Sequence, residues 1–480
     1  MAIKTRNTPE QLSESVEGLY PGGGAYVRDA QTLVKYYDDD AVDLTRQLLD
    51  LNDRTPVTSN IMKRVVDTLS VTYDQPPARR LITADMILPD SDDLVLLMEA
   101  ILKASGYDAH FKRIDSLRTL LGTVARRTYA VDIHSRLAYR TYLPYDVYRL
   151  PTAGFEDDIT QDEAVALKLM DDRFELWERN ADGWVMFITK ANGEVVSEPF
   201  GPDGISPYDV LPIQLINDQP SEGRAFMPLK KSRISFQETI NRMLNAVPEM
   251  IDYQAYDQMV AKVADPSLLT NLETGPKTLS VMAPEDDLIA VQRSPAITES
   301  GDAIDRFIEK WLISENIPID YFRGSSNLQT GAALRAQLWP LKERRDQLQP
   351  LVISEQTQAF EIIRSIWNVH AADWGMSELP MSIDINIQVT DIPIPIDEDT
   401  LRDIGFREIA AGLNSTIMYL QRKHQIGRIA AIDMFEQIQV DNSQYEPAQS
   451  TNALVDGPPE ALGDGSASLD EDAFDPDIEL

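Results

Sequence analysis

Cysteine is absent from this 480-residue chain, which excludes a disulfide framework and thiolate chemistry. Histidine is scarce. His110, His134, His370 and His424 lie far apart, and none sits in a His-Glu-x-x-His or other ligand spacing, so no zinc site is expected. No glycine loop ends in Gly-Lys-Ser/Thr, so Gly22-Gly23-Gly24 after Pro21 reads as a turn and not as a phosphate cradle. No serine occupies a Gly-x-Ser-x-Gly elbow. No apolar run approaches the roughly 20 residues that span a bilayer. The opening Met-Ala-Ile-Lys-Thr-Arg-Asn lacks the apolar core of a secretory leader. The expectation is a protein made in a cytoplasm that stays soluble.

Basic charge is also in short supply. Lys and Arg number 44 against 78 Asp and Glu, a net of −34. Affinity for nucleic acid rests on cations that neutralise phosphates, so a free chain of this composition repels DNA. The acidity reads either as a solvated surface or as a wall past which a polyanion slides without sticking. Asp38-Asp39-Asp40, Asp157-Asp158 and Asp171-Asp172 read as solvated loops, because the calcium loop's central Gly and closing Glu are missing. No catalytic, cofactor-binding or metal-binding residue is assigned, and no cofactor is implied. The hydrophobic fraction of 43% and the length imply a folded protein of two to four subdomains.

The chain reads as α+β, mainly helical. Ile61, Val65, Leu69 and Tyr73 recur every fourth residue behind a cap at Ser59 or Asn60. Helices follow at about 92–104 and 107–124. From about 128 to 217 the pattern turns to strands: 129–133, 137–142, 173–178, 184–189 and 210–217, with Asn192-Gly193 as a hairpin turn.

Pro228 opens a helix with a narrow seam of Phe236, Ile240, Met243, Leu244 and Val247, and Pro248 stops or kinks it. About fifty residues of strand and turn signals follow. A second amphipathic helix then returns through Ile304, Phe307, Ile308, Trp311, Leu312 and Ile313. Two helices carrying a small module between them suit an assembly element. Next comes a polar loop, Gly324 to Gly331, and a long helix from Ala332 to about His370. Leu334, Leu338, Leu341, Leu348, Leu351, Val352, Phe360, Ile363, Ile366 and Trp367 mark its apolar stripe. Pro340 and Pro350 predict a bent rod. A polar hinge feeding such a rod is a mechanical part.

This order resembles the portal proteins of tailed bacteriophages, the head–tail connector family. Tyr36-Tyr37-Asp38 resembles the family's early Tyr-Tyr helix, and Asn60 through Asp67 with Tyr73 and Pro76-Pro77 resembles its next helix. Leu211-Pro212-Ile213 through Asn217 resembles the strand before the stem, and Phe236 through Asn241 the first stem helix. Ile317-Pro318 through Tyr321-Phe322, then Thr330-Gly331-Ala332-Ala333-Leu334, resembles the marks around the tunnel loop and long helix. Thr330 stands where Ser is commoner and Asn316 where Gly is. The resemblance covers roughly 30–440.

The resemblance implies a portal-type fold. Its wing takes 1–228 with strands at 376–395, its stem helices 229–248 and 299–317, and its clip 249–298. The tunnel loop takes 319–331, the long kinked wing helix 332–375, and a helical crown 397–440 with Leu401, Ile404, Phe406, Ile409, Leu413 and Ile417 as its core. It implies a non-enzymatic virion protein. Family members form a homo-oligomeric ring of about twelve chains at one capsid vertex. They nucleate head assembly, contact the major capsid protein, and dock the terminase large subunit and the head–tail adaptor. Double-stranded DNA passes through their channel during packaging and ejection, and no membrane is involved. Arg323, Ser325, Ser326, Asn327 and Gln329 would then face DNA, the polar residues brushing phosphates and Arg323 adding one positive ring. A repelling wall lowers the barrier to sliding, and a separate ATPase would supply the energy.

Residues 441–480 hold eleven acids and no Lys or Arg, and read as a disordered acidic tail. Two readings from other classes compete. A different head–tail adaptor or ring protein would be shorter and lack the helix–module–helix pattern. A metal-dependent hydrolase would use the acidic clusters.

Overall fold

Thr8 and Gln11 satisfy each other's backbone donors in a capping box, and helix α1 (Pro9–Glu17) begins there. The computed structural model describes residues 5–50, 55–73, 75–84, 86–181, 183–254, 258–262, 287–291, 297–323, 331–389, 406–411, 415–424 and 428–444. The chain divides into two units, Met1–Pro395 and Ile396–Leu480.

In the first unit, α2 (Ala25–Tyr37), α3 (Ala41–Leu49) and α4 (Ile61–Leu69) follow α1. The Asn60 side chain accepts from Lys63 N and starts α4, as its sequence signals. Tyr73 does not extend that helix, which ends at Leu69; it is buried separately and donates to Asp108 at 2.9 Å. Strands β1 (Ala78–Thr83) and β2 (Met86–Ile87) precede α5 (Asp93–Ser105) and α6 (Tyr107–Leu121). Gly106 at φ +64 ends α5 and Gly122 at φ +78 ends α6. A Cβ at Gly122 would lie 2.8 Å from Met227 Cβ, so the position needs glycine twice over.

Strands β3 (Thr123–Val131) and β4 (Arg136–Tyr142) pair antiparallel, and β10 (Ile213–Asn217) joins the other edge of β3. β3 starts six residues before the expected 129. Its first six residues are all buried, Arg126 and Arg127 included, and buried arginines disguise the strand. Between β4 and β10 lie β5 (Val147–Leu150), β6 (Ala164–Lys168), β7 (Arg173–Asn180), β8 (Gly183–Lys190) and β9 (Val195–Ser197), a five-stranded antiparallel meander. Asn192-Gly193 makes the β8–β9 turn, with Gly193 at φ +81.

Helix α7 (Ser232–Gln254) begins four residues after Pro228 and runs through Pro248, which neither stops nor shortens it. Strands β11 (Gln258–Lys262) and β12 (Asp287–Val291) pair antiparallel, and α8 (Ile297–Ser314) returns. The rest of the expected clip lies outside the described residues. Residues 319–323, expected within the tunnel loop, form the short helix α9 (Ile319–Arg323). Helix α10 (Gly331–Ala371) is 41 residues long and contains both Pro340 and Pro350. Leu338, Leu341, Leu348, Val352, Phe360, Ile363, Ile366 and Trp367 of its expected stripe are buried.

Strand β13 (Ile383–Gln388) then pairs with β1, from Ala78↔Gln388 to Thr83↔Ile383. Closing a loop of this length costs little more than closing a shorter one, since the entropy grows only with the logarithm of length. Residues 390–396 of the expected strand run lie outside the described residues. The second unit contains α11 (Thr416–His424) and α12 (Arg428–Gln444). Phe406, expected in a crown core, is exposed and lies 6.1 Å from the Tyr419 ring. Leu401, Ile404 and Leu413 are outside the described residues, as are 445–480 of the expected tail.

Candidate channel segment and its helix root

The segment expected to meet DNA is held by the helices on either side of it. α7 and α8 pack through rings: Phe236 stacks on Trp311 at 5.4 Å between centroids and an interplanar angle of 5°. Phe307 closes on Phe236 at 5.3 Å. At the foot of the pair, Arg233 grips Glu315 with two parallel bonds of 2.8 and 2.9 Å and donates to Thr119 O at 2.5 Å. Arg233 is fully buried. Burial pushes the Glu315 carboxyl up, but the Arg233 fork and the Lys230 and Arg344 charges outweigh it and hold it below its ordinary value.

A second polar device fixes α7 along its length. Gln237, Asn241 and Asn245 recur every fourth residue and so share one face. Gln237 accepts from Met62 N at 2.9 Å and donates to Ser59 O at 2.5 Å. Asn241 donates to Thr45 Oγ1 at 3.1 Å. Asn245 exchanges two bonds with the Val57 backbone, at 2.8 and 2.7 Å. The amides stand in for a strand partner to the extended residues 55–60. Their spacing was visible in the sequence; the apolar seam beside them drew the reading instead.

α9 is tied to α4. The Arg64 guanidinium lies 4.4 Å from the Phe322 ring centroid and donates to Phe322 O. Arg323, the one expected channel residue among the described ones, ends α9 and is half-exposed. It donates to Glu309 Oε1 of α8 at 2.8 Å. Its charge is therefore balanced within the same chain, which weakens the positive ring expected of it. Ser325, Ser326, Asn327 and Gln329 lie outside the described residues.

α10 is anchored in mid-length. Glu355 meets Arg118 at 2.9 Å, and Arg118 also pairs with Asp115 at 2.7 Å. Gln356 accepts from Arg79 at 3.2 Å and from Tyr107 at 3.1 Å. Burial pushes the Glu355 carboxyl up to about 7 against the pull of Arg118.

The acidic clusters serve the backbone. Asp39, Asp171 and Asp172 adopt positive φ at turns, Asp158 caps Thr160, and Asp157 accepts from Ser221. Among the described residues no group of three or more His, Asp or Glu is placed to hold a metal ion. Among them, too, no helix is long and apolar enough to cross a membrane.

No protein-family model and no curated protein matches the chain. Solved structures do match in part. One, described as the neck of an empty GTA particle computed with C6 symmetry, has a TM-score of 0.43 and 11% identity, covering 74% of this chain and 88% of that one. Another, the virion of a native gene transfer agent (GTA) particle, has a TM-score of 0.40 and 12% identity over 74% and 87%. A third, the neck of a native GTA particle computed with C12 symmetry, has a TM-score of 0.40 and 12% identity over 79% and 92%. No functional statement rests on a likeness this distant.

Proposed function

We propose that this chain is the subunit of a portal-type ring of a tailed-phage particle, a structural protein through whose channel DNA enters and leaves a capsid. The observation that carries the reading is the order of parts. Two packed helices, α7 and α8, flank the β11–β12 pair. α8 is followed in the chain by α9 and then by the 41-residue α10, and β13 returns to β1. The quoted portal-like motifs fall at the joints of this order: Asn60 caps α4, Leu211-Pro212-Ile213 enters β10, and Gly331 opens α10. The position at the capsid vertex, the nucleation of head assembly, and the contacts with capsid protein, terminase and adaptor belong to the same proposal.

The physical case is consistent with it. Polar side chains on a short loop between two rigid helices give a wall that touches a polyanion without gripping it, and the −34 charge keeps that wall repulsive. The test is native mass measurement and negative-stain imaging of the purified full chain. The expected result is a ring of about a dozen copies with an open axis. A monomer at every protein and salt concentration overturns the proposal.

A further inference from the structure

Helix α10 is gripped by side chains just past its second proline. Pro350 donates no backbone bond one turn back, so the helix supports itself least around this residue. Further on, three elements hold Glu355 and Gln356. Arg118 of α6 donates through Nη1 to both Glu355 carboxylate oxygens, at 2.9 and 3.2 Å. Gln214 of β10 donates to Glu355 O at 2.8 Å. Gln356 accepts from Arg79 of β1 and from Tyr107 of α6.

The Arg118 guanidinium binds two buried carboxylates, and it binds them unequally. Asp115 accepts from Arg118 Nε at 2.9 Å, from Tyr73 N at 3.1 Å and from the Thr72 hydroxyl, and Arg118 Nη2 stands 2.7 Å from it. Among the described residues, the Glu355 carboxylate accepts from Arg118 Nη1 alone. The charges that face it are Asp115 and Arg118 of α6 and Arg126 of β3. Arg126 gives its Nη2 to Gln214 at 2.7 Å, and its Nε and Nη1 have no hydrogen-bond partner, so it supplies Glu355 with none. Farther out, Arg79 is paired with Asp108 at 2.7 Å, and Asp218, just past β10, and Arg344 of α10 act on Arg118 with opposite charges. Two buried acids that share one arginine retain a proton more readily than either would alone, and the acid with fewer donors carries it. Burial, with the Asp115 charge, pushes the Glu355 carboxyl up to about 7 against the pull of Arg118.

We infer that Glu355 is a proton-operated catch for α10: the helix sits firmly on α6 while the Asp115–Glu355 pair holds a proton, and loss of that proton loosens the helix beyond Pro350. The chemical step is an acid dissociation, with the proton passing to water. Ionisation leaves two negative charges on one arginine at a site that water solvates poorly, so the seat weakens where three elements converge on the helix. Pro350 has already removed a backbone bond nearby, which makes this stretch the one that yields. The catch works in this way whether or not the chain forms a ring.

The test is denaturant unfolding of the full chain from about pH 5 to about 8.5, with the parent beside Glu355→Gln and Glu355→Met. Amide hydrogen exchange of residues 351–359 is followed over the same range. Both substitutions reproduce the charge of the protonated acid, and methionine adds no donor toward Arg118. A value raised from 4.5 to about 7 means that the folded chain binds the extra proton between those limits. The stability this gives is complete below that window and is lost as pH rises through 7. The unfolding constant of the parent, divided by that of either variant, should therefore rise by about tenfold per pH unit up to about pH 6.5 and level off above 7. Exchange in 351–359 should quicken across pH 7 in the parent beyond the ordinary base-catalysed rise, and show only that rise in the variants. A flat ratio overturns the proposal. So does a ratio that falls as pH rises, which a stabilising ion pair gives. Exchange that follows the base-catalysed rise alone in the parent overturns the catch as well. Failure of both neutral variants to fold at about pH 6 does the same, since the protonated parent carries no charge at this residue.

Discussion

The interior of the β-layers and the helix root both pair their charges, but they differ in the apolar side chains they leave exposed. In the interior, arginines are closed off. Arg149 meets Asp162 through two bonds of 2.7 and 2.9 Å, both side chains fully buried. Arg127 meets Glu175 at 2.6 Å and stands 5.0 Å from the Trp177 ring. Arg126 lies 5.4, 4.8 and 5.5 Å from the rings of Tyr107, Phe111 and Tyr139 and donates to Gln214 at 2.7 Å, while its Nε and Nη1 are buried against those rings without hydrogen-bond partners. At the helix root the inner side is sealed in the same manner by Arg233 and Glu315. The outer side differs in its apolar side chains: Ile313 on α8 and Trp339 on α10 are each 62% exposed. A region that closes its polar groups internally serves the fold.

Removing Arg233 tests that comparison most severely. If the inner side of the root matches the interior, Arg233→Ala strands Glu315 in a buried site and also removes the bond to Thr119 O. The expected loss is about 3–5 kcal/mol in denaturant unfolding. The paired change Arg233→Met with Glu315→Leu should recover much of it, because the only charge it leaves without its partner is Lys230, which pairs with Glu315 at 3.6 Å and reaches solvent. A loss under about 1 kcal/mol for Arg233→Ala would place the root with solvent-exposed pairs and break the comparison.

Next in size is a pH effect on the interior. Burial, then the Arg126 and Arg113 charges, push His110 down to about 4 from its ordinary 6.5. The folded state thus binds fewer protons than the unfolded state between those values. The stability this gives is complete above about pH 6.5 and is lost as pH falls toward 4. Glu355, raised to about 7, titrates with the opposite sign, so the total pH profile mixes the two. Subtracting the His110→Gln profile from the parent isolates the histidine. The difference should shrink steadily from pH 6.5 to 4. A flat difference would mean that neither burial nor the Arg126 and Arg113 charges lower the His110 imidazole.

How much of this was legible in advance follows from which signals are local. α10 was placed within a residue at each end, because its stripe repeats over many turns and a Gly precedes it. The β8–β9 turn was placed because Asn-Gly is a local signal. β3 was started late because arginines at 126 and 127 read as surface, and only the tertiary pairing with Gln214 and Glu175 explains their burial. Pro248 reads as a stop or a kink, and α7 continues through it. At the candidate site, the neutralisation of Arg323 was not visible, since Glu309 lies fourteen residues away on another helix. Ile313 was read into the apolar face of α8, yet it is 62% exposed.

Arg323 supplies the smallest expected change in stability and the finest division between the two kinds of region. Its bond to Glu309 joins partly exposed side chains, and such pairs contribute about 0–1 kcal/mol. Arg323→Ala should therefore leave unfolding within about 1 kcal/mol of the parent and leave rings intact. Glu309→Ala should do the same while freeing the Arg323 charge beside the loop. If that loop faces DNA, the two variants differ in function where they agree in stability. An uncompensated cation next to a moving phosphate backbone adds attraction at each passing charge, so Glu309→Ala should slow or reduce DNA filling of assembled particles. Arg323→Ala should fill them normally. Lower salt should widen the gap, because screening weakens as ionic strength falls. Equal filling by both variants at low salt would mean that the end of α9 does not meet the genome.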